Sequence, residues 1–301
     1  MQKPALFILL ILSSTQFSIA QQKQYIFEKI ILQHWENSFF VNPAAIGTEN
    51  KRKINLAGTA MSRPIHGNAT LSYEHLTKSR INNFAFSVSH YSIDDWPQQY
   101  TFSSSYSRTK ALHFAEFRFG VQLNYNYINN MHGFGPEYYT RQQFADSRLS
   151  AEAGIYLENA KYFAGISIKN LPELSVGNEH LNVKNETILN FHGGYNLPVS
   201  QSFVLKPAAL MQFGLNGIQR NFHINNSLVY KEKLTAGISF QHEDFSNVNG
   251  NFTPELNMAG CNAGIKLFNK WRLNAAAMFR LNKVNGENSL NTLELATAYL
   301  F

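Results

Sequence analysis

The chain has 301 residues, 14% of them aromatic, one cysteine and a formal net charge of +6. A single cysteine excludes an internal disulfide framework and any zinc site built on paired cysteines. The positive charge is scattered, without the basic stripe that nucleic-acid binding needs, and beyond residue 20 no apolar stretch approaches the roughly 18 residues of a membrane-spanning helix.

The first residues read as an export signal. Lys3 precedes the apolar run Ala5 to Leu12, and Ser18-Ile19-Ala20 supplies the small residues that a signal peptidase reads, so residues 1–20 are expected to be a signal peptide. The only cysteine is Cys261, so no lipobox cysteine follows the cleavage site. Roughly 280 residues then remain, enough for one large β domain or two smaller ones, and the charge falls to +5 when Lys3 leaves.

Residues 21–52 read as an N-terminal periplasmic arm or plug. Within it stands Asn42-Pro43-Ala44-Ala45-Ile46-Gly47. Pro43 fixes its own φ and holds Asn42 extended, while Gly47 allows a sharp reversal. The plain reading is a turn leading into the first strand. The functional reading makes Asn42, Pro43, Ala44 and Gly47 a partner-docking element at the periplasmic mouth.

From Lys53 onward the signal is alternation with period 2, broken at intervals by polar turn residues. The clearest stretch runs from His113 to Ile128. There Ala115, Phe117, Phe119, Val121, Leu123, Tyr125 and Tyr127 share one face, and Glu116, Arg118, Gly120, Gln122, Asn124 and Asn126 the other. A strand of about 12 or more residues is long for a soluble sandwich and suits a tilted membrane strand. About fourteen such segments are expected, starting near Lys53, Gly67, Asn83, Gln98, His113, Ser147, Tyr162, Thr187, Ser202, Gln219, Leu234, Asn257, Trp271 and Asn291.

The links between segments sort by parity. Lys110 to Leu112, Asn159 to Lys161, Pro198 to Gln201, Lys231 to Lys233 and Phe268 to Lys270 are short and alternate with the others. The longest links, Asn129 to Asp146, Leu171 to Glu186, Glu243 to Leu256 and Asn282 to Leu290, all fall in the other set. A membrane barrel has this asymmetry, with short periplasmic turns and long outer loops. The chain stops at Phe301 in a segment where Leu293, Leu295, Thr297, Tyr299 and Phe301 share a face. Left unpaired, that apolar edge invites aggregation; in a closed barrel it pairs with the first strand. Leu295, Tyr299 and Phe301 are the candidate barrel-assembly signal. Residues 53–301 are thus expected to form an all-β, transmembrane antiparallel β-barrel of about 14 strands. Its surroundings would be the lipid of a Gram-negative outer membrane.

No motif in the sequence carries chemistry. His-Glu-x-x-His, a phosphate-cradling glycine loop and the Gly-x-Ser-x-Gly elbow are absent, and His34, His66, His75 and His90, the densest histidines, lack ligand spacing. Inward carboxylates (Glu74, Glu116, Glu152, Glu294) are expected to form lumen ion pairs with Arg118, Arg272 and Arg280. Cys261 reads as a small apolar residue toward lipid. No catalytic, cofactor or metal site is expected.

The stretch Trp35-Glu36-Asn37-Ser38-Phe39-Phe40-Val41-Asn42-Pro43-Ala44-Ala45-Ile46-Gly47 resembles the start of the PorP/SprF family of type IX secretion membrane proteins, which open with an Asn-Pro-Ala-x-x-Gly element. Tyr162 to Ser167 followed by Asn170, His192-Gly193-Gly194-Tyr195, Phe203 to Ala208 and the closing Leu293 to Phe301 match in order. The chain departs from the family in carrying Thr292-Leu293-Glu294 where a His-Glu pair is usual, and in keeping only Pro64 of a Trp and Pro after strand 1. The resemblance implies a non-enzymatic barrel of the secretion and gliding machinery. It would work with type IX components and bind or anchor, at the cell surface, secreted proteins bearing C-terminal sorting domains. A passive porin for small solutes is the alternative, and an occluded lumen would count against it.

Overall fold

The computed structural model describes residues 24–26, 37–48, 52–62, 65–93, 98–130, 144–176, 183–215, 219–245, 255–281 and 291–301. The expected signal peptide, residues 1–20, lies outside them. Fourteen long strands form one closed antiparallel barrel. They are β1 (Lys53–Ser62), β2 (Ile65–Leu76), β3 (Asn82–Ile93), β4 (Gln98–Ala111), β5 (Glu116–Asn130), β6 (Phe144–Glu158) and β7 (Tyr162–Ser175). The second half comprises β8 (Ile188–Tyr195), β9 (Phe203–Gly214), β10 (Gln219–Tyr230), β11 (Leu234–Phe245), β12 (Glu255–Leu267), β13 (Trp271–Arg280) and β14 (Asn291–Leu300). Each strand pairs with its sequence neighbours, and β14 closes on β1 from Thr292↔Met61 to Leu300↔Lys53. Closure pairs the edge of the apolar strand β14 with β1 along its length.

Alternation sets which side of the wall each residue faces. Along β5, Phe119, Val121, Leu123 and Tyr125 are exposed on the outer face, whereas Arg118, Gly120, Asn124, Asn126 and Ile128 are buried on the inner one. In lipid the outer set is solvated by hydrocarbon and the inner set is not, so each strand keeps its register. Cys261 is exposed on the outer face, as its pattern requires.

Aromatic rings gather where the outer face meets the short-turn rim. Trp271 and Tyr299 lie 4.9 Å apart, and Tyr299 stacks on Phe301 at 5.8 Å. Phe301 also stacks on Tyr73 at 6.3 Å, and Phe203 meets Tyr230 at 4.9 Å. Such a girdle suits the membrane–water boundary, where a ring can be half in hydrocarbon.

Among the described residues the register of the wall shifts between β6 and β7. Register shifts separate Leu149, Ala151 and Ala153 on β6 from their β7 partners, and Asn170 on β7 has φ +52°. Asparagine tolerates that left-handed conformation better than most residues, so the bulge falls where the sequence supplies it.

The arm that precedes β1 contributes two 3-10 turns, Ser38–Phe40 and Pro43–Ala45. Its earlier piece, Gln24–Ile26, pairs in parallel with Val183–Asn185 in the link between β7 and β8. That link is one of the long set, so the described parts of the arm lie toward opposite ends of the barrel.

Candidate functional site: the arm in the lumen

The candidate docking residues Asn42, Pro43, Ala44 and Gly47 are all buried, Asn42 and Ala44 completely. They sit inside the barrel, toward the short-turn rim, against the inner faces of several strands. Asn42 is the keystone. Its backbone is extended (φ −146°, ψ 115°), and its side-chain oxygen accepts from the Ala44 N–H at 2.9 Å, capping the Pro43–Ala45 turn. Its side-chain amide donates to the carbonyls of Ile155 (2.9 Å) and Ile166 (3.2 Å), register partners on β6 and β7. One short side chain therefore holds the arm's own turn and two barrel strands, which needs both a donor and an acceptor on the same group.

The wall is shaped to let this happen. A Cβ at Gly120 would stand 2.3 Å from the Ala44 nitrogen and 2.4 Å from the Pro43 carbonyl carbon. One at Gly154 would stand 2.1 Å from the Asn42 Oδ1, and one at Gly165 2.7 Å from its Nδ2. Three inward glycines thus clear the space into which the arm's main chain settles. Polar side chains then hold the arm as they would a bound peptide. Lys169 Nζ donates to the Phe40 carbonyl (2.7 Å), and Ser167 Oγ (2.6 Å) and Asn190 Nδ2 (3.3 Å) both donate to that of Val41. Apolar contacts complete the seat. Val41 packs on Leu210, Phe39 and Ile46 on Ala85, and Ala44 and Ala45 on Tyr156.

The arm leaves its seat through Gly47, whose φ of +82° only glycine adopts without strain. Glu74 Oε2 accepts from the Gly47 N–H at 3.0 Å while Oε1 pairs with Lys53 Nζ at 3.2 Å. Glu74 was expected to meet an arginine; the β1–β2 register instead sets Lys53 directly opposite it. Glu116 does pair with Arg118 (2.7 Å), which also holds Glu158 (2.5 Å), and Glu152 accepts from Asn124 Nδ2 (2.8 Å).

Away from the arm the lumen is filled by inward side chains. Asn225, Ser227 and Asn262 form a closed hydrogen-bonded trio, with Asn262 Nδ2 donating to Asn225 Oδ1 at 2.6 Å and Ser227 Oγ to Asn262 Oδ1 at 3.1 Å. Met258, Ala276 and Met278 pack into an apolar cluster beside them. His223, Asn225, Ser227, Met278 and Glu294 are essentially inaccessible to solvent. A water-filled channel would wet these inward groups, so this part of the lumen, with the arm below it, is occluded.

Sequence reasoning singled out the arm's motif but missed its receptor: Gly120, Gly154, Gly165, Ser167, Lys169 and Asn190. The available signal was glycine at inward positions inside long strands, which marks close approach of another backbone. Of the histidines singled out, His75 and His90 are on the outer face, where His75 meets the Tyr73 hydroxyl at 3.1 Å and His90 the Tyr100 ring at 4.6 Å; the side chains of His34 and His66 lie outside the described residues. No group of metal-ligating side chains occurs among the described residues. Leu295, Tyr299 and Phe301 share the outer face of β14, with Leu295 and Phe301 exposed.

The family model for the type IX secretion system membrane protein PorP/SprF matches residues 22–299, the arm and the barrel together. The chain belongs to the PorP/SprF family. None of the curated proteins matches it. Among solved structures, this PorP/SprF barrel is similar to the CymD monoaromatic hydrocarbon channel (8% identity, 91% of this chain and 94% of that one, TM-score 0.56). It is similar to the Pseudomonas putida toluene transporter TodX (10% identity, 93% and 95%, TM-score 0.55). The Acinetobacter baumannii outer membrane protein Omp33 also matches (13% identity, 83% and 98%, TM-score 0.50). At these identities the likeness is one of fold, that of Gram-negative outer-membrane barrels, and the protein is an outer-membrane protein.

Proposed function

We propose that this PorP/SprF barrel is a non-enzymatic accessory of type IX secretion that binds or anchors a secreted protein bearing a C-terminal sorting domain, with its long-loop face as the cell-surface contact. The observation that carries the reading is the seated arm within an occluded lumen. A barrel whose interior is closed by its own chain acts through its surfaces and its arm, not by letting solutes through. Family membership supplies the secretion context; the cargo class follows from the family resemblance. The arm's Asn42, Pro43, Ala44 and Gly47 are spent on the barrel wall in this state, so they would meet a partner only after the arm leaves its seat. Leu295, Tyr299 and Phe301 are proposed as the assembly signal because they present an aromatic, lipid-facing end.

The porin alternative draws on fold likeness to channels, which at 8–10% identity says nothing of transport by this chain. Planar-bilayer recording of the purified barrel separates the two. The accessory reading expects no stable conductance from the intact barrel. Steady open-channel currents would favour the porin.

A further inference from the structure

The two-residue turn between β12 and β13 is built against its own sequence. Phe268 and Asn269 have φ +49° and +55°, and Lys270 N–H donates to the Leu267 carbonyl at 3.1 Å, the geometry of a type I′ hairpin. That turn favours Asn-Gly, and an aromatic residue in the left-handed region is strained. Packing does not offset the strain, because Phe268 is 89% exposed. Trp271 and Tyr299 pair with each other on the strands behind it. The neighbouring turn has the same conformation at Lys231 (φ +46°) and Glu232 (φ +55°), so what sets this tip apart is a fully presented aromatic ring in that position.

Cations surround the tip on one continuous arc of the short-turn rim. Lys231 N–H donates to the Ser202 carbonyl, Lys266 N–H to that of Lys233, Leu300 N–H to that of Lys270, and Phe301 N–H to that of Arg52. These bonds join neighbouring turns edge to edge. The arc therefore sets Arg52, Lys231, Lys233, Lys266 and Lys270 around Phe268, with Glu232 the one acidic residue among them. All but the half-buried Lys266 are exposed.

We propose that this arc is a docking surface for a periplasmic protein that presents carboxylates around an apolar pocket, the pocket taking Phe268. An aromatic anchor ringed by charges is how small interfaces concentrate affinity and set orientation. Anionic lipid is the competing source of such charge, and the crosslinked adduct separates it from protein. The inference rests on the accessory-barrel reading for its orientation, with the short turns facing the periplasm.

The test is in-cell photocrosslinking with p-benzoylphenylalanine at position 268 of the full chain, with adducts identified by mass spectrometry. The expected result is one protein adduct mapping to an acidic surface. It falls roughly tenfold in yield in the Lys231→Glu, Lys233→Glu, Lys270→Glu variant and is unchanged by Lys78→Glu with Arg80→Glu elsewhere on the rim. Heat-modifiability on gels verifies that each barrel folds. If the triple variant does not fold, the unreversed barrel in isolated membranes should lose the adduct on raising salt from about 0.05 to about 0.5 M. A phospholipid adduct, no adduct, or a protein adduct insensitive to both charge and salt overturns the proposal. A barrel that retains no secreted protein yet still crosslinks here would sink the cargo reading and leave this surface standing.

Discussion

Replacing Asn42 by alanine should unseat the arm without unfolding the barrel. The substitution removes three hydrogen bonds: from Ala44 N–H to the side-chain oxygen, and from the side-chain amide to the Ile155 and Ile166 carbonyls. Each bond from the amide is worth about 1 kcal/mol net, and leaving the Ala44 N–H buried without its acceptor costs about 1–3 kcal/mol. The arm's seat should therefore weaken by about 3–5 kcal/mol, or about two to nearly four decades in the closed-to-open ratio. Deuterium exchange followed by mass spectrometry reads this directly, since amides of residues 40–46 exchange only when the arm opens. Exchange there should rise by about 10²–10⁴-fold while peptides from β10 stay unchanged. Asn42→Asp keeps the acceptor but turns a carboxylate toward two carbonyl oxygens, and should unseat the arm at least as strongly. An increase below about tenfold for Asn42→Ala, or an equal increase in β10, would refute the keystone role.

Further outcomes follow from the same geometry. Gly120→Ala drives a Cβ into the arm's backbone and should raise the same arm exchange, whereas Gly67→Ala, with nothing within 4 Å of its Cβ, should leave it unchanged. Deleting Phe301 removes the stacks on Tyr73 and Tyr299 and should lower the amount of folded, heat-modifiable barrel in outer membranes by several-fold without changing expression. Gln24→Cys, in a Cys261→Ser background, should react with a membrane-impermeant maleimide on intact cells, because Gln24–Ile26 pairs with the long-loop link; labelling only after rupture would place the arm's start at the periplasmic end.

The barrel was legible because lipid and lumen impose opposite polarity on alternate residues, a constraint each strand carries locally. The expected starts at Lys53, Gln98, Tyr162, Gln219, Leu234, Trp271 and Asn291 are the first residues of their strands. Expectation and structure differ where a turn takes up alternating residues. The bond from Leu112 N–H to the Ala115 carbonyl (2.8 Å) curls the chain there, so β5 begins at Glu116 and not His113. The arm's seat was not legible, because it joins Asn42 to residues more than a hundred positions away, and nothing in a strand's period names its lumenal guest. The partner of Glu74 was hidden for a related reason: choosing Lys53 over an arginine requires the pairing register, not the facing. The turn at Phe268 was expected as a short link, but its strain exists only in three dimensions.

The most direct test of the central claim is to purify the tagged barrel from native outer membranes in mild detergent and identify by mass spectrometry what remains bound. The accessory role predicts a secreted protein with a C-terminal sorting domain in stable proportion to the barrel. A barrel recovered without such a protein, and conducting ions once reconstituted, would contradict it.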